Sequence, residues 1–307
     1  MKYLVIGAGG TGGLIGGYLA KNQLDVTLIA RGEHLMAIQQ KGLTIKTYGE
    51  EPVHISNIKA IGEDALENQK FDVIFVCVKA YHLSSIVQML KNAAQEQTVI
   101  IPILNSLGAG RYLRTALPGL NIYDGCIYIT GYISAPGEVS QNNRIFRIFY
   151  GLDEQANKDD YLRKIMEKEA QESGIDIRYS SRITNEIFRK LTFTSAFASC
   201  AAYNQIQASD LQLVGRYREH FINLLNELKQ ISDAAKFGLT KDFFSDNLRI
   251  LDSLSPDFTA SLQKDLQQKK ADERNELIHD MVRLAERYHI EIPHYKKIAN
   301  HFRIEQN

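Results

Sequence analysis

Short β-branched apolar runs alternate with amphipathic stretches through the first half of the chain. Tyr3 to Ile6 is followed by a helical stretch from about Gly12, then by Val26 to Ile29, and later by Phe71 to Val78 and Thr98 to Leu104. Such alternation predicts βαβ units. Val73, Ile74, Phe75, Val76, Cys77 and Val78 are apolar at consecutive positions, so both faces of that strand must be covered. This places it inside a parallel, doubly wound sheet with helices on each side. From Asn121 to Gly151 apolar and polar residues nearly alternate, and Pro136-Gly137 and Asn142-Asn143 mark turns, so an antiparallel meander should close the first domain.

From Thr184 onward the period becomes helical, over Glu186 to Ala202, Tyr217 to Phe237, Lys241 to Leu254, Glu273 to His289 and Tyr295 to Phe302. The expected architecture is an α/β N-terminal domain, a parallel doubly wound sheet with an antiparallel extension, plus an all-α C-terminal domain. Strand-like Ile175 to Tyr179 gives way to polar Ser180 to Arg182, which sets domains of 1–181 and 182–307. No repeat, low-complexity tract or long linker intervenes, and the expected site is the cleft between the domains.

Composition narrows the function classes. The 307 residues are 44% hydrophobic and 23% charged, the balance of a globular protein with a substantial core. Lys plus Arg and Asp plus Glu number 36 each, so no overall basic field draws the chain to nucleic acid or an anionic membrane. Cys77, Cys126 and Cys200 are odd in number and sit in apolar contexts, as expected of buried thiols in a reducing cytoplasm. The eight histidines show no zinc-binding spacing, so no metal is expected. Met1 to Ala20 has the length of a secretory signal, but seven glycines between Gly7 and Gly17 interrupt any apolar helical core. The expectation is a soluble, unprocessed cytoplasmic protein.

The glycines have another use. Gly7-Ala8-Gly9-Gly10-Thr11-Gly12 directly follows the first strand and opens the first helix, the setting of a dinucleotide-binding turn. Gly7 permits the tight turn, Gly9 lets the backbone approach a pyrophosphate, and Gly12 allows the helix to pack on the strand, while free amides at the helix start receive phosphate oxygens. The first domain therefore reads as Rossmann-type. Arg31 follows the second strand where an NAD-binding site usually places Asp or Glu, which favours NADP(H): a guanidinium grips a ribose 2′-phosphate that a carboxylate would repel. Lys79, after the central strand, supplies a second positive charge or is simply a solvated strand end. Glu33, two residues beyond Arg31, weighs slightly the other way.

Several separated motifs together resemble the ketopantoate reductases (2-dehydropantoate 2-reductases) over nearly the full chain. They are the glycine motif, Arg31, Val78-Lys79-Ala80-Tyr81, Leu104-Asn105-Ser106-Leu107-Gly108, Phe188-Arg189-Lys190-Leu191, Ser261-Leu262 through Asp265 to Glu273, and Ile292-Pro293. The resemblance implies reduction of a 2-oxo acid to a 2-hydroxy acid with NADPH, ketopantoate to pantoate on the route to pantothenate and coenzyme A. Hydride arriving at a ketone carbon leaves negative charge on oxygen, so a cationic proton donor is needed, and the resemblance assigns Lys190 that role. Burial in an apolar cleft would lower the pKa of its amine toward the working pH. By the same resemblance Glu273 binds the substrate hydroxyl, Ser261 contacts the substrate carboxylate, and Asn105 stands beside nicotinamide and substrate. Without it, Glu273 would pass for the acidic first turn of a helix, Ser261 for an N-cap and Asn105 for a turn residue.

The family pattern carries asparagines four and eight residues after the lysine, where this chain has Thr194 and Ala198. Thr194 keeps one hydroxyl for substrate and Ala198 keeps no hydrogen-bonding group; Ser195 and Ser199 are neighbouring candidates to compensate. The reaction class is thus better specified than the substrate. Two rival readings stand beside it: a related NADPH-dependent reductase of another 2-oxo acid or ketone, and a non-catalytic NADP(H)-sensing protein. A homodimer is an open option for a partner.

Overall fold

The parallel sheet follows from strands whose two faces are both apolar. In β1 (Lys2–Ile6) Tyr3 and Val5 enter one hydrophobic cluster while Leu4 and Ile6 enter the other. The computed structural model describes residues 1–67, 69–153 and 161–303. After β1 come α1 (Gly10–Lys21), β2 (Asp25–Ile29), α2 (Gly32–Lys41), β3 (Leu43–Thr47), β4 (Val53–Ile55), β5 (Lys59–Ile61), β6 (Val73–Val76), α3 (Val87–Ala93) and β7 (Val99–Pro102). Strands β5-β2-β1-β6-β7 pair in that order, every pair parallel. In β6, Val73 and Phe75 face the α1 side, and Ile74 and Val76 the other, so the run of apolar residues does mark a strand covered on both faces. It ends two residues early, at Val76.

The region expected to be a single meander is divided between two sheets. After α4 (Ala109–Ala116) come β8 (Asp124–Tyr128), β9 (Gly131–Ala135), β10 (Glu138–Gln141) and β11 (Arg147–Gly151), then α5 (Tyr161–Glu172) and β12 (Asp176–Ser180). β9 and β10 form an antiparallel hairpin across Pro136-Gly137, but β10 then runs parallel to β3 in a four-stranded sheet β4-β3-β10-β9. β8 and β11 are antiparallel neighbours in a separate three-stranded sheet with β12. Local alternation identified the strands but carried no information on their partners, which lie up to about a hundred residues away.

Helix α1 explains the density of glycines. A Cβ at Gly12 would stand 2.1 Å from the Gly7 carbonyl oxygen, one at Gly13 2.7 Å from Val139, one at Gly16 2.4 Å from Leu28 and one at Gly17 2.7 Å from Ile45. The helix is bare along these faces because strands of two sheets press against it.

The chain divides into two compact units, Met1–Leu104 with Gly108–Ile183, and Asn105–Leu107 with Thr184–Asn307. The second is built on α6 (Ile183–Asn204), buried along most of its length from Leu191 to Ala202. Around it come α7 (Ala208–Gln212), α8 (Arg216–Ala235), α9 (Phe243–Ser253), α10 (Ser261–Gln267), a π-helical turn Asn275–His279 leading directly into α11 (Asp280–Arg287), and α12 (Pro293–His301). No helix among the described residues is long and apolar enough to cross a membrane.

α12 opens on Pro293, whose ring suits a first helical position, but the preceding Ile292 offers no side-chain acceptor. Glu227 of α8, 3% exposed, supplies it: one carboxylate oxygen accepts the His294 backbone N–H at 2.7 Å and the other the Tyr295 N–H at 2.9 Å. The same carboxylate accepts the His294 ring at 2.9 Å. Replacing Glu227 by Ala leaves the buried Tyr295 N–H without an acceptor and removes the acceptor of the part-buried His294 donors. The expected loss is about 3 kcal/mol in urea unfolding, with Glu227→Gln, which keeps one acceptor oxygen, losing clearly less.

Candidate active site

In the first unit the turn after β1 is fixed by its own backbone. The Gly7 and Ala8 N–H groups both donate to the Ile29 carbonyl, at 3.2 and 2.9 Å, which ties the turn to the end of β2. Gly7 has φ +98°, and a Cβ there would meet the Cys77 carbonyl at 2.9 Å. A Cβ at Gly9, by contrast, meets nothing within 4 Å. α1 starts at Gly10 with Gly9 as N-cap and no side-chain cap, so its first-turn amides have no side-chain acceptor and face open space at Gly9. That is a cradle a phosphate group fits. Thr11 lies in the first turn, half-buried, and Ala8 is buried.

Arg31 caps α2 in an extended conformation and is exposed; its carbonyl accepts the Leu35 N–H at 3.3 Å, while its guanidinium makes no hydrogen bond or ion pair among the described residues. Lys79 is half-buried and caps a single 3-10 turn, Ala80–His82, after β6.

A residue the sequence did not single out stands beside this loop. His34, in the first turn of α2, accepts the Gly137 N–H at Nδ1 (3.0 Å), so its neutral ring carries the proton on Nε2. Nε2 is buried. Burial, only partly offset by the Ala8 backbone, holds the imidazole below the ordinary histidine pKa. His34 thus links the dinucleotide-type turn to the β9–β10 turn, a convergence of three distant segments that no local pattern encodes.

In the second unit Lys190 and Asn105 meet. The Lys190 ammonium donates to Asn105 Oδ1 at 2.6 Å, with the lysine half-buried on α6 and Asn105 in the loop that leaves β7. Residues 85 apart in sequence are brought into a charge-assisted hydrogen bond. Thr194, one turn on, donates its hydroxyl back to the Lys190 carbonyl at 3.2 Å. Ala198 is buried.

Glu273 is only 3% exposed and immediately precedes the helix containing the π-turn. Its carbonyl accepts the Leu277 N–H at 2.9 Å. Glu276, also buried, was not anticipated. Burial pushes its carboxyl pKa up, against the Asn275 amide that donates to Oε1, and the charges of Asp280 and Glu273 push the same way. Ser261 is exposed at the first position of α10, behind Ala260 as N-cap, so it does not itself cap the helix.

Of Ser195 and Ser199, the candidates to stand in for the missing asparagines, Ser195 is engaged elsewhere. Both are fully buried, and Ser195 donates to the Leu277 carbonyl at 2.5 Å while accepting from the Tyr295 hydroxyl at 2.6 Å. Its single proton goes to the carbonyl, so the tyrosine must donate. This network locks α6 to the π-turn, a structural task. Cys126 and Cys200 are buried and form no disulfide, and burial pushes the Cys200 thiol up to about 12, which leaves it unreactive.

Residues 3–154 match the family described as "Ketopantoate reductase PanE/ApbA", and residues 182–306 match its C-terminal domain. The chain belongs to the ketopantoate reductase family. It is an NAD(P)H-dependent oxidoreductase with a Rossmann-like first unit and a helical second one. An uncharacterized oxidoreductase, YkpB of Bacillus subtilis, is 25% identical to the reductase over 297 residues, covering 95% of each chain. A ketopantoate reductase of this family from Ralstonia eutropha has the same fold, with a TM-score of 0.86 at 21% identity, over 98% of this chain and 96% of that one. A D-mandelate dehydrogenase solved with NADH and anilino(oxo)acetate shares the fold equally, with a TM-score of 0.86 at 20% identity and the same two coverages.

His34 gives the reductase an acid limb of its own. Its folded pKa lies below the unfolded value of 6.5, so the unfolded chain takes up the proton first. Stability is complete above that value and falls as pH drops through it toward the folded pKa. His34→Gln should therefore flatten the decline of the urea midpoint as pH falls below about 6.5, an effect absent if the ring titrates normally.

Proposed function

We propose that this reductase reduces a 2-oxo acid to the 2-hydroxy acid with NADPH, with ketopantoate as substrate and pantoate, the precursor of pantothenate and coenzyme A, as product. The contact between the Lys190 ammonium and Asn105 carries the reading. NADPH, when bound, supplies the hydride. Gly7, Ala8, Gly9, Gly10, Thr11 and Gly12 would hold its pyrophosphate, Arg31 and Lys79 the 2′-phosphate, and Asn105 the nicotinamide end. The bare space at Gly9 and the unpaired Arg31 guanidinium fit such an anion.

The chemistry asks the protein for two things. Charge that develops on the substrate oxygen needs a cation beside it, and that oxygen then needs a proton. Lys190 supplies both from Nζ. Asn105 Oδ1 fixes where the ammonium points and keeps it from the solvated rotamers that a flexible lysine otherwise samples. Glu273, buried beside α11, would accept the substrate hydroxyl, Thr194 would contact the substrate once its hydroxyl turns from the helix, and Ser261 would receive the carboxylate.

A second reading rests on Thr194 and Ala198. The Thr194 hydroxyl is engaged by the Lys190 carbonyl, and alanine offers only a methyl group. A site with these residues discriminates weakly for a substrate hydroxyl and suits a 2-oxo acid with an apolar side chain, in line with the mandelate dehydrogenase likeness. Steady-state kinetics over a panel of 2-oxo acids separates the two: ketopantoate with the highest kcat/KM supports the first, a branched or aromatic 2-oxo acid the second.

Lys190→Ala should lower kcat about 10³-fold while NADPH binding, followed by fluorescence, stays within about twofold. A variant that keeps turning over ends the assignment of the proton donor. Arg31→Ala should weaken NADPH by about 2 kcal/mol and NADH much less, and equal losses would remove Arg31 from the 2′-phosphate.

A further inference from the structure

The end of α6 remote from Lys190 carries a second concentration of polar chemistry, entirely within the helical unit. Tyr203 and Asn204 from α6, Arg216 and His220 from α8, and His294 and Lys297 from α12 line a cavity of about 390 Å³. Lys190 and Asn204 lie on one continuous helix, about 21 Å apart along its axis, so no small substrate held by the amine reaches this cavity.

The two imidazoles are held in defined orientations. Asn204 Nδ2 donates to the Cys200 carbonyl at 2.8 Å and to His220 Nδ1 at 3.1 Å, so the proton of neutral His220 sits on Nε2. His294 gives its Nδ1 proton to Glu227 at 2.9 Å, leaving Nε2 uncommitted to that carboxylate. The rings are 5.9 Å apart, the Tyr203 ring is 5.8 Å from His220, and Lys297 Nζ stands 5.9 Å over Tyr203. His301 packs on Tyr203 at 5.0 Å. The Arg216 guanidinium lies 4.5 Å from the Tyr217 ring and donates to its hydroxyl.

Positive charge is in excess here. Neither Arg216 nor Lys297 forms an ion pair among the described residues; both are exposed, as is Glu219, the one carboxylate on the lining. Glu227 is already taken up by the start of α12 and by His294. His220 reports the strain: burial first, then the charges of His294 and Lys297, hold its imidazole below the ordinary value. A chain with no net charge has thus gathered two cations and two imidazoles against one carboxylate around one cavity, an excess that favours an entering anion.

We propose that this cavity is a binding site for a small anion bearing phosphoryl or carboxylate groups, distinct from the site of the reductase reaction. Arg216 offers a planar fork for two oxygens, Lys297 a point charge, and His220 an Nε2–H donor. An anion beside His220 favours its protonated form, so binding raises the pKa of that imidazole from its lowered value and takes up a proton. Affinity accordingly strengthens as pH falls toward the range where His220 takes up its proton. The tyrosine faces of Tyr203 and Tyr217 favour a ligand with a flat or apolar portion beyond its charged group.

The test is proton NMR of the histidine ring protons, titrated between about pH 5 and pH 8, with resonances assigned through His220→Gln and His294→Gln. Inorganic phosphate and succinate are compared with chloride at equal ionic strength. Phosphate or succinate should raise the His220 pKa by about one unit, while the double variant Arg216→Gln/Lys297→Gln loses the shift and keeps its NADPH turnover. A response to phosphate alone assigns a phosphoryl ligand, and a response to succinate alone a carboxylate. No response to either anion beyond that to chloride overturns the proposal, as does a shift that persists undiminished in the double variant.

Discussion

A lysine ammonium drawn partly out of water needs an acceptor held in place by something other than its own helix. Asn105 provides it, at 2.6 Å from Lys190, and the geometry depends on two elements with no sequence proximity. Asn105 belongs to the short segment, Asn105–Leu107, that leaves a strand of the parallel sheet yet groups with the helical unit. Lys190 is placed by α6, which is pinned to the π-turn through Ser195 and the Leu277 carbonyl. That carbonyl lies within the π-turn, which begins two residues after buried Glu273. A single packing decision thus sets the amine and the carboxylate together.

In the first unit the corresponding constraint is steric. α1 can lie against strands of two sheets only because glycine stands at Gly12, Gly13, Gly16 and Gly17, and the same closeness leaves its N-terminus at the Gly9 opening. The features that fit a dinucleotide phosphate are therefore consequences of helix packing as much as of the turn itself. His34 adds a lateral tie, with Gly137 on one ring nitrogen and the Ala8 backbone near the other. A rigid turn presents its amides with little reorganisation when an anion arrives.

Charge is balanced over the chain but not locally. Glu227, Glu273 and Glu276 are buried acids in the helical unit, each with a different circumstance: one caps a helix, one precedes the π-turn, and one is held toward its neutral form by burial. The cavity at the far end of α6 is the opposite case, with Arg216 and Lys297 outnumbering Glu219, the one carboxylate on its lining. Formal neutrality excluded a nucleic-acid partner in the sequence reading, yet it was silent on these separated fields, which decide where small anions can bind.

By itself the sequence determined what is local or rests on chain-wide periodicity. The apolar run Val73 to Val76 required a strand covered on both sides, the six-residue glycine motif marked the turn between β1 and α1, and the helical period from Thr184 foretold the second unit. Lys190 and Asn105 were each recognisable from short motifs, but nothing in either motif says that the two side chains touch. Tertiary structure alone decided that contact, the split of the expected meander between two sheets, the withdrawal of Ser195 into the core, and the roles of His34 and Glu276. The physical reason is common to all of them. Backbone pattern is set by neighbours a few residues away, whereas strand partners and buried hydrogen bonds are chosen by whichever distant groups the packed core brings within three ångströms.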